Sequence, residues 1–174
     1  MLKNVIFIVI ACTSFLLPMP LVENLEIDKF MGRWYVISLV PNWIESGNTD
    51  SYDDYTLNPD GTIDISYHAL NKDGEKENIR QRGHVDPENP ARWKIEFVKP
   101  RIPFYKAPYE VIILDPSYQY MVVGYPGNDY GWIMSRSTSM DEGLYSKLLK
   151  ELTARFGYEE GVFEKVVHKF SDNK

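Results

Sequence analysis

The chain has 174 residues, which suffice for one domain of ordinary size but not for two domains with sizeable cores. Hydrophobic residues make up 44% and charged residues 25%, a globular composition, and 19 Lys and Arg against 25 Asp and Glu give a net charge of −6. This acidic balance argues against a nucleic-acid-binding protein, which normally carries a basic face. One cysteine excludes an internal disulfide or a thiolate metal cluster, and the three histidines lie far apart, so no metal and no cofactor are expected.

The first residues have the pattern of a targeting segment. After a single lysine, residues 5–22 contain no charged side chain, and the two prolines inside this run would interrupt a membrane-spanning helix. We therefore assign residues 1–21 to a signal, lipidation segment and tether, and residues 22–174 to the folded domain.

Cys12 lies in this run within Val9-Ile10-Ala11-Cys12, which resembles the bacterial lipobox. In that motif the thiol receives a diacylglycerol, the chain is cut before the cysteine, and acyl chains such as palmitate anchor the protein to a membrane. Thr13 stands where inner-membrane lipoproteins have an aspartate, so the resemblance predicts an outer-membrane lipoprotein. Eleven residues before Cys12 are few for a signal. The alternatives are that more residues lie upstream, or that the segment is an uncleaved anchor or a cleaved signal that yields a secreted or periplasmic protein.

Short segments with alternating apolar and polar residues follow, separated by turn residues. The tetrapeptides at 58–61 and 71–74 end in glycine and predict hairpin turns, because glycine readily adopts a positive φ. Eight strands are predicted, at 33–41, 51–57, 62–70, 77–85, 92–98, 109–115, 119–125 and 130–136. Eight antiparallel strands at this spacing indicate an all-β sandwich or an up-and-down barrel.

An amphipathic helix is predicted over 141–156. Asp141 is a suitable N-cap and Gly157 a suitable C-terminal stop. The apolar stripe of the helix consists of Leu144, Leu148 and Leu152. The last three predicted strands are apolar on both faces, so the helix is expected to cover their outside. A short final strand near 162–170 follows.

Three motifs then occur in a specific order. Gly32-Arg33-Trp34 matches the G-x-W motif of the lipocalins, Asn128-Asp129-Tyr130 matches their acidic–tyrosine element, and Ile133-Met134-Ser135-Arg136 ends in the arginine of their third motif. Over residues 22–170 the chain resembles the lipocalins, in particular the bacterial outer-membrane, apolipoprotein D-like members. The resemblance implies an eight-stranded up-and-down antiparallel barrel with one C-terminal helix packed outside and a short final strand.

The resemblance also implies a structural role for the motif residues. In the family the tryptophan closes the narrow end of the barrel, and the arginine packs across it in a cation–π contact while donating to carbonyls of the N-terminal segment. The positions concerned are Gly32, Trp34, Asp129, Tyr130 and Arg136.

A ligand cavity inside the barrel is a further implication. Alternation along the strands, with Glu110 outward and Ile113 inward, defines the inner face. The residues predicted to bind the ligand are Ile63, Ile65, Tyr67, Gln81, Trp93, Ile95, Phe97, Tyr109, Val111, Trp132 and Met134. Gly83 is expected to leave room in the cavity wall. This lining is apolar apart from tyrosine hydroxyls and Gln81, which favours the acyl chain of a fatty acid or lysophospholipid. The alternative is that these side chains simply fill the barrel.

The connection at 99–106 combines cations with aromatic residues. Lys99, Arg101 and Lys106 are predicted to form a rim that binds a phosphate or carboxylate head group, while the aromatic residues contact a membrane. The alternative is a solvated loop.

We therefore expect a non-enzymatic lipid-binding protein that serves lipid storage, transport or membrane maintenance at the cell envelope. One alternative is a lipid-modifying enzyme in which Asp53, in phase with Tyr55, serves as a base, although a solvated Asp53 is expected over an inward one. Another alternative is an envelope interaction module without a ligand. The resemblance gives some support to a homodimer.

Overall fold

In the computed structural model, which describes residues 19–169, the strands form one closed sheet. The strands are β1 (Gly32–Leu39), β2 (Thr49–Leu57), β3 (Ile63–Leu70), β4 (Lys76–Asp86), β5 (Asn89–Lys99), β6 (Lys106–Leu114), β7 (Tyr120–Gly124) and β8 (Gly131–Ser135). Each strand pairs antiparallel with the next, and β1 pairs with both β2 and β8. The predicted up-and-down barrel is confirmed, and the alternative of a sandwich is wrong. Cys12 lies outside the described residues.

Within the described part of the chain two helices accompany the barrel: α1 (Ile27–Phe30), which was not predicted, and α2 (Glu142–Phe156). The predicted caps of α2 are confirmed, since Asp141 Oδ1 accepts a hydrogen bond from the Leu144 amide at 2.9 Å and Gly157 adopts φ +73°. Between residues 19 and 169, no helix combines the length and apolarity needed to cross a membrane.

The apolar residues form two layers, one inside the barrel and one between the barrel and α2. Ile112, Val122 and Ile133 belong to the outer layer, together with Leu148 and Leu152 of α2. Their strand neighbours Val111, Val123 and Met134 belong to the inner layer. The strands that are apolar on both faces are therefore covered by the helix, as the sequence predicts.

Strand β6 departs from strict alternation. Its register against β7 shifts between Val111 and Ile113, which is a β-bulge. The extra residue reverses the phase, so that Ile113 packs against the outer layer and Leu114 against the inner one. The expectation that Ile113 points inward is wrong for this reason.

The final strand, β9 (Glu164–Lys165), is shorter than predicted. It pairs with Ser38 and Leu39, beyond the part of β1 that pairs with β2. The residues after β9 continue to bond the neighbouring strands irregularly, with the Asp50 amide donating to the Val167 carbonyl at 2.9 Å. The C-terminal segment thus occupies the gap that opens where β1 and β2 diverge.

One end of the barrel is closed by α1 and the residues that follow it. The Arg136 guanidinium lies 3.7 Å from the Trp34 ring and donates to the backbone carbonyls of Lys29, Phe30 and Arg33. Gly32 has φ +92°, and a Cβ there would lie 3.5 Å from Arg136 Nη1. The expected arrangement of tryptophan, arginine and glycine is confirmed.

Residues 19–26 run along the barrel from its open end to its closed end. Met19 packs beside Gly124 near the open end, the Val22 amide donates to the Val111 carbonyl at 3.0 Å, and the Glu26 amide donates to Tyr118 Oη at 2.9 Å. The described chain therefore begins beside the mouth of the barrel.

Candidate functional site

The open half of the barrel contains a cavity of about 130 Å³. It lies beneath the connections that join β1 to β2, β5 to β6, and β7 to β8. Seven of the eleven residues predicted to bind the ligand line it: Tyr67, Gln81, Ile95, Phe97, Tyr109, Trp132 and Met134. Whether they contact a ligand stays a prediction.

The other four, Ile63, Ile65, Trp93 and Val111, lie outside the cavity lining and belong to the packed inner core. There Phe30 enters the barrel from α1, and its ring centroid lies 5.0 Å from that of Trp93. Alternation gives the face of a strand but not how far along the barrel the packed core extends. Ligand contact by these four residues stays a prediction.

Gly83 belongs to this packed region as well. A Cβ at this position would lie 3.2 Å from Trp93 Cε3 and 3.5 Å from Ile65 Cδ1. The space beside Gly83 is therefore filled by the Trp93 ring, and the expectation that it opens the cavity wall is wrong.

The cavity contains Glu45, which was not predicted to lie there. Asn42 Oδ1 accepts hydrogen bonds from the amides of Ile44 and Glu45 at 3.0 Å, which folds the β1–β2 connection into a turn. The Glu45 carboxylate then accepts from Asn42 Nδ2 at 2.8 Å and from Trp132 Nε1 at 2.9 Å. Asn42 is a recognisable turn residue, but the partner on β8 is 87 residues away and leaves no local signal.

Asp53 also lines the cavity, whereas we expect it in solvent from the sequence. Its Oδ2 accepts from the Tyr55 hydroxyl at 3.2 Å, and the Tyr55 and Tyr109 hydroxyls lie 2.9 Å apart. Its strand neighbour Asp54 points outward and binds Arg33 through both carboxylate oxygens at 2.9 Å. Asp53 therefore lies on the same inward face of β2 as Tyr55.

The cavity changes the acidity of both carboxyls, which are half-buried in its wall. Burial raises the pKa of Glu45, against the opposing hydrogen bonds from Trp132 and Asn42. Burial, together with the negative charge of Glu45, raises the pKa of Asp53 to about 8. Burial also raises the pKa values of Tyr55 and Tyr109. The two carboxyls of the site therefore keep their protons to a higher pH than solvent-exposed carboxyls do.

A second polar group lies beside Tyr67. Asn48 Nδ2 donates to the Tyr67 hydroxyl at 3.1 Å and to Glu77 Oε2 at 2.8 Å, and Ser51 Oγ lies 3.3 Å from the same hydroxyl. This group holds the Tyr67 hydroxyl in place, and Glu45 and Asp53 make one side of the lining polar. The expectation that only tyrosines and Gln81 interrupt an apolar lining is wrong.

The predicted cationic rim lies outside the cavity. Lys99 and Arg101 are exposed, and Lys106 Nζ lies 4.0 Å from Glu96 on the outer wall. The same connection contributes Ile102 and Tyr105 to the cavity lining. Head-group binding by the three cations stays a prediction.

The motif residues of the β7–β8 connection take different positions. Asp129 is exposed, whereas Tyr130 lines the cavity and stacks on Trp132 with ring centroids 6.2 Å apart. Tyr125 meets Tyr130 edge to face at 4.8 Å. Tyr130 is therefore part of the aromatic wall at the mouth. Among residues 19–169 no group of three potential metal ligands comes together.

Comparison with known proteins places this geometry in a family. A model of the lipocalin-like domain matches residues 25–168. The chain is 35% identical over 160 residues to temperature-induced lipocalin-1 of Arabidopsis thaliana, covering 87% of this chain and 81% of that protein. It is 31% identical over 161 residues to the outer membrane lipoprotein Blc of Citrobacter freundii, covering 88% and 86%.

A solved structure supports the fold independently of close sequence similarity. Insecticyanin from the tobacco hornworm Manduca sexta matches with a TM-score of 0.67 at 15% identity, covering 89% of this chain and 86% of that chain. At this level of identity the likeness shows the shared barrel alone.

Proposed function

The chain belongs to the lipocalin family, and from this premise we propose that it binds a single-chain lipid, a fatty acid or lysophospholipid, inside its barrel. The observation that carries the proposal is the cavity, which is closed below by packed aromatic rings and open between the loops above. Lipocalins are in general binding or transport proteins, which supports a role in lipid storage, transport or membrane maintenance without catalysis.

The energetics are favourable for such a ligand. Burying about a dozen methylene groups contributes roughly 10 kcal/mol before association and ordering costs reduce it severalfold. Because Phe30, Trp34 and Trp93 fill the lower barrel, a long chain would occupy the upper half and extend between the loops.

A steric test compares a lining residue of β6 with an outward residue of β5. Ala107 lines the cavity, so Ala107→Phe should fill it and weaken binding of lysophosphatidylcholine and palmitate, measured by isothermal titration calorimetry on the delipidated full chain. Lys94→Phe is the control, because Lys94 is exposed, lies outside the cavity lining and is not one of the three rim cations. Equal affinity of both variants, or no binding by a folded wild type, would refute the proposal.

We place the protein at the outer membrane, with residues 1–21 as signal and tether and Cys12 as the site of lipidation. The proposal is supported by the lipobox-like sequence and by the relative in Citrobacter freundii, which is named an outer membrane lipoprotein. Cys12→Ala should abolish metabolic labelling with palmitate. Labelling that persists in this variant would refute lipidation at Cys12, whereas a wild type that takes up no label would favour a secreted or periplasmic protein.

One observation favours a second candidate function, a lipid-modifying enzyme. Asp53 faces the cavity and has a pKa of about 8, which suits a general base near neutral pH. Mass analysis of lipids recovered after prolonged incubation with the protein tests this function. Recovery of unchanged lipid would exclude turnover of the lipids tested.

A further inference from the structure

We propose that Glu45 and Asp53 form a polar subsite inside the cavity that binds the ammonium end of a single-chain amphiphile. The inference rests on the lipid-binding function proposed above and specifies the polar end of the bound molecule. The two carboxyls come from different elements, the β1–β2 connection and β2, and both face the same enclosed space. An apolar chain bound above the packed core would bring its polar end towards them.

Each carboxyl has accepting capacity left for a ligand. The protein occupies Oε2 of Glu45, through Trp132 and Asn42, and Oδ2 of Asp53, through Tyr55. Within residues 19–169 no donor bonds the second oxygen of either group. A primary ammonium group has three donors and no acceptor, so it matches these oxygens.

The negative charge of the two carboxyls favours a positively charged group on the ligand. Among the described residues that line the cavity, none is Lys, Arg or His. An enclosed carboxylate without a positive partner is unfavourable, and a fatty-acid carboxylate would add a further negative charge. An ammonium group removes this imbalance.

Aromatic rings around the carboxyls favour the same ligand class. Trp132 donates its indole N–H to Glu45 and stacks with Tyr130, which Tyr125 meets edge to face. The faces of aromatic rings attract cations, and tryptophan attracts them more strongly than tyrosine or phenylalanine does. The subsite therefore combines negative charge with cation-attracting walls.

Binding should be linked to protonation. A cation favours the ionised carboxyls, whereas burial raises the pKa values of both groups and the charge of Glu45 raises that of Asp53 further. Affinity for a cation should therefore increase as pH rises from 6 to 9, with release of protons. The other titratable side chains near the pair are the tyrosines of the lining, together with Glu77 behind Asn48 and the outward Asp54–Arg33 ion pair. Those tyrosines are Tyr55, Tyr67, Tyr105, Tyr109, Tyr125 and Tyr130.

The test compares dodecylamine, dodecanol and dodecanoate, which share one chain and differ in charge. Each is titrated below its micellar concentration into the full chain by isothermal titration calorimetry at pH 6, 7.5 and 9. At pH 9 dodecylamine should bind about tenfold or more tightly than dodecanoate, consistent with a hydrogen bond between charged groups. The double variant Glu45→Gln, Asp53→Asn should remove this preference and retain dodecanol binding. Asp54→Asn, the adjacent outward carboxyl, is the matched control and should keep the preference.

The outcomes separate this inference from the function on which it rests. Equal affinities for the three ligands, or tighter binding of dodecanoate at pH 9, would overturn the ammonium subsite and leave lipid binding intact. A preference that survives in the double variant would overturn the assignment of Glu45 and Asp53. Absence of binding by all three ligands to a folded protein would contradict lipid binding itself.

Discussion

Replacing Asp53 with asparagine tests the enclosure of the cavity without any ligand. In the fold the pKa of this carboxyl rises from 3.8 to about 8, because burial and the charge of Glu45 oppose ionisation. A raised carboxyl pKa means that the folded state binds the proton more tightly than the unfolded state. The free energy of unfolding is therefore highest below pH 4, falls as pH rises towards 8, and is then constant with respect to this group.

The size of the effect follows from the same shift. At about 1.4 kcal/mol for each pH unit, a fully enclosed carboxyl would lose roughly 5 to 6 kcal/mol by pH 9. Asp53 faces a cavity that admits solvent and keeps the hydrogen bond from Tyr55, so we expect about 2 to 3 kcal/mol. Asp53→Asn should therefore be more stable than wild type at pH 9 by this amount and nearly equal to it at pH 4.

Urea denaturation followed by circular dichroism at pH 4, 6, 7.5 and 9 measures the difference. Asp54→Asn is the control, because it removes an outward carboxylate paired with Arg33 and should give no stabilisation at pH 9. If wild type and Asp53→Asn had parallel pH profiles, or if the variant were the less stable protein at pH 9, Asp53 would not be enclosed as described.

Three further substitutions test the scaffold by thermal or urea unfolding. Arg136→Ala should lower the free energy of unfolding by about 2 kcal/mol, because it removes the contact with Trp34 and the bonds to carbonyls at the closed end, and it should leave dodecanol affinity unchanged. Gly83→Ala should lower it by about 1 to 3 kcal/mol, since the new Cβ would press on the Trp93 ring. Leu148→Ala, in the layer between α2 and the barrel, should lower it by about 2 to 5 kcal/mol.

Each of these has a result that would contradict its reasoning. Loss of dodecanol binding in folded Arg136→Ala would assign the closed end to the ligand site. Unchanged stability of Gly83→Ala would show that the Trp93 ring leaves room. A loss below about 1 kcal/mol in Leu148→Ala would show that α2 packs loosely on the barrel.

The strands and α2 are predicted well because their signals are local or periodic, whereas the choice of a barrel over a sandwich depends on the resemblance to the lipocalins. The caps of α2 depend on Asp141 and Gly157, and the inward face of β5 follows from the alternation of apolar and charged residues. The bulge at Ile113 is not predicted because it lies in a run of apolar side chains. An extra residue in such a run disturbs no alternation of apolar and polar residues.

The site was predicted less completely, for a different reason. The depth of the cavity depends on Phe30, whose side chain enters the barrel from a four-residue helix outside the strands. The acidity of the cavity depends on Glu45, whose position is determined by an indole 87 residues further along the chain. Asp53 was assigned the correct phase, but the choice between solvent and cavity depends on how the loops cover the mouth. Contacts of this kind have no pattern in a single sequence.

The course of residues 19–26 bears on how an anchored barrel would be oriented. Met19 lies beside Gly124, at the same end as the exposed side chains of Trp43 and Phe104. Seven residue steps lead from Cys12 to Met19, and even a fully extended chain covers only about 25 Å over them. An acyl chain at Cys12 would therefore hold the mouth against the lipid surface rather than away from it. A lipid could then exchange between the bilayer and the barrel without crossing bulk water.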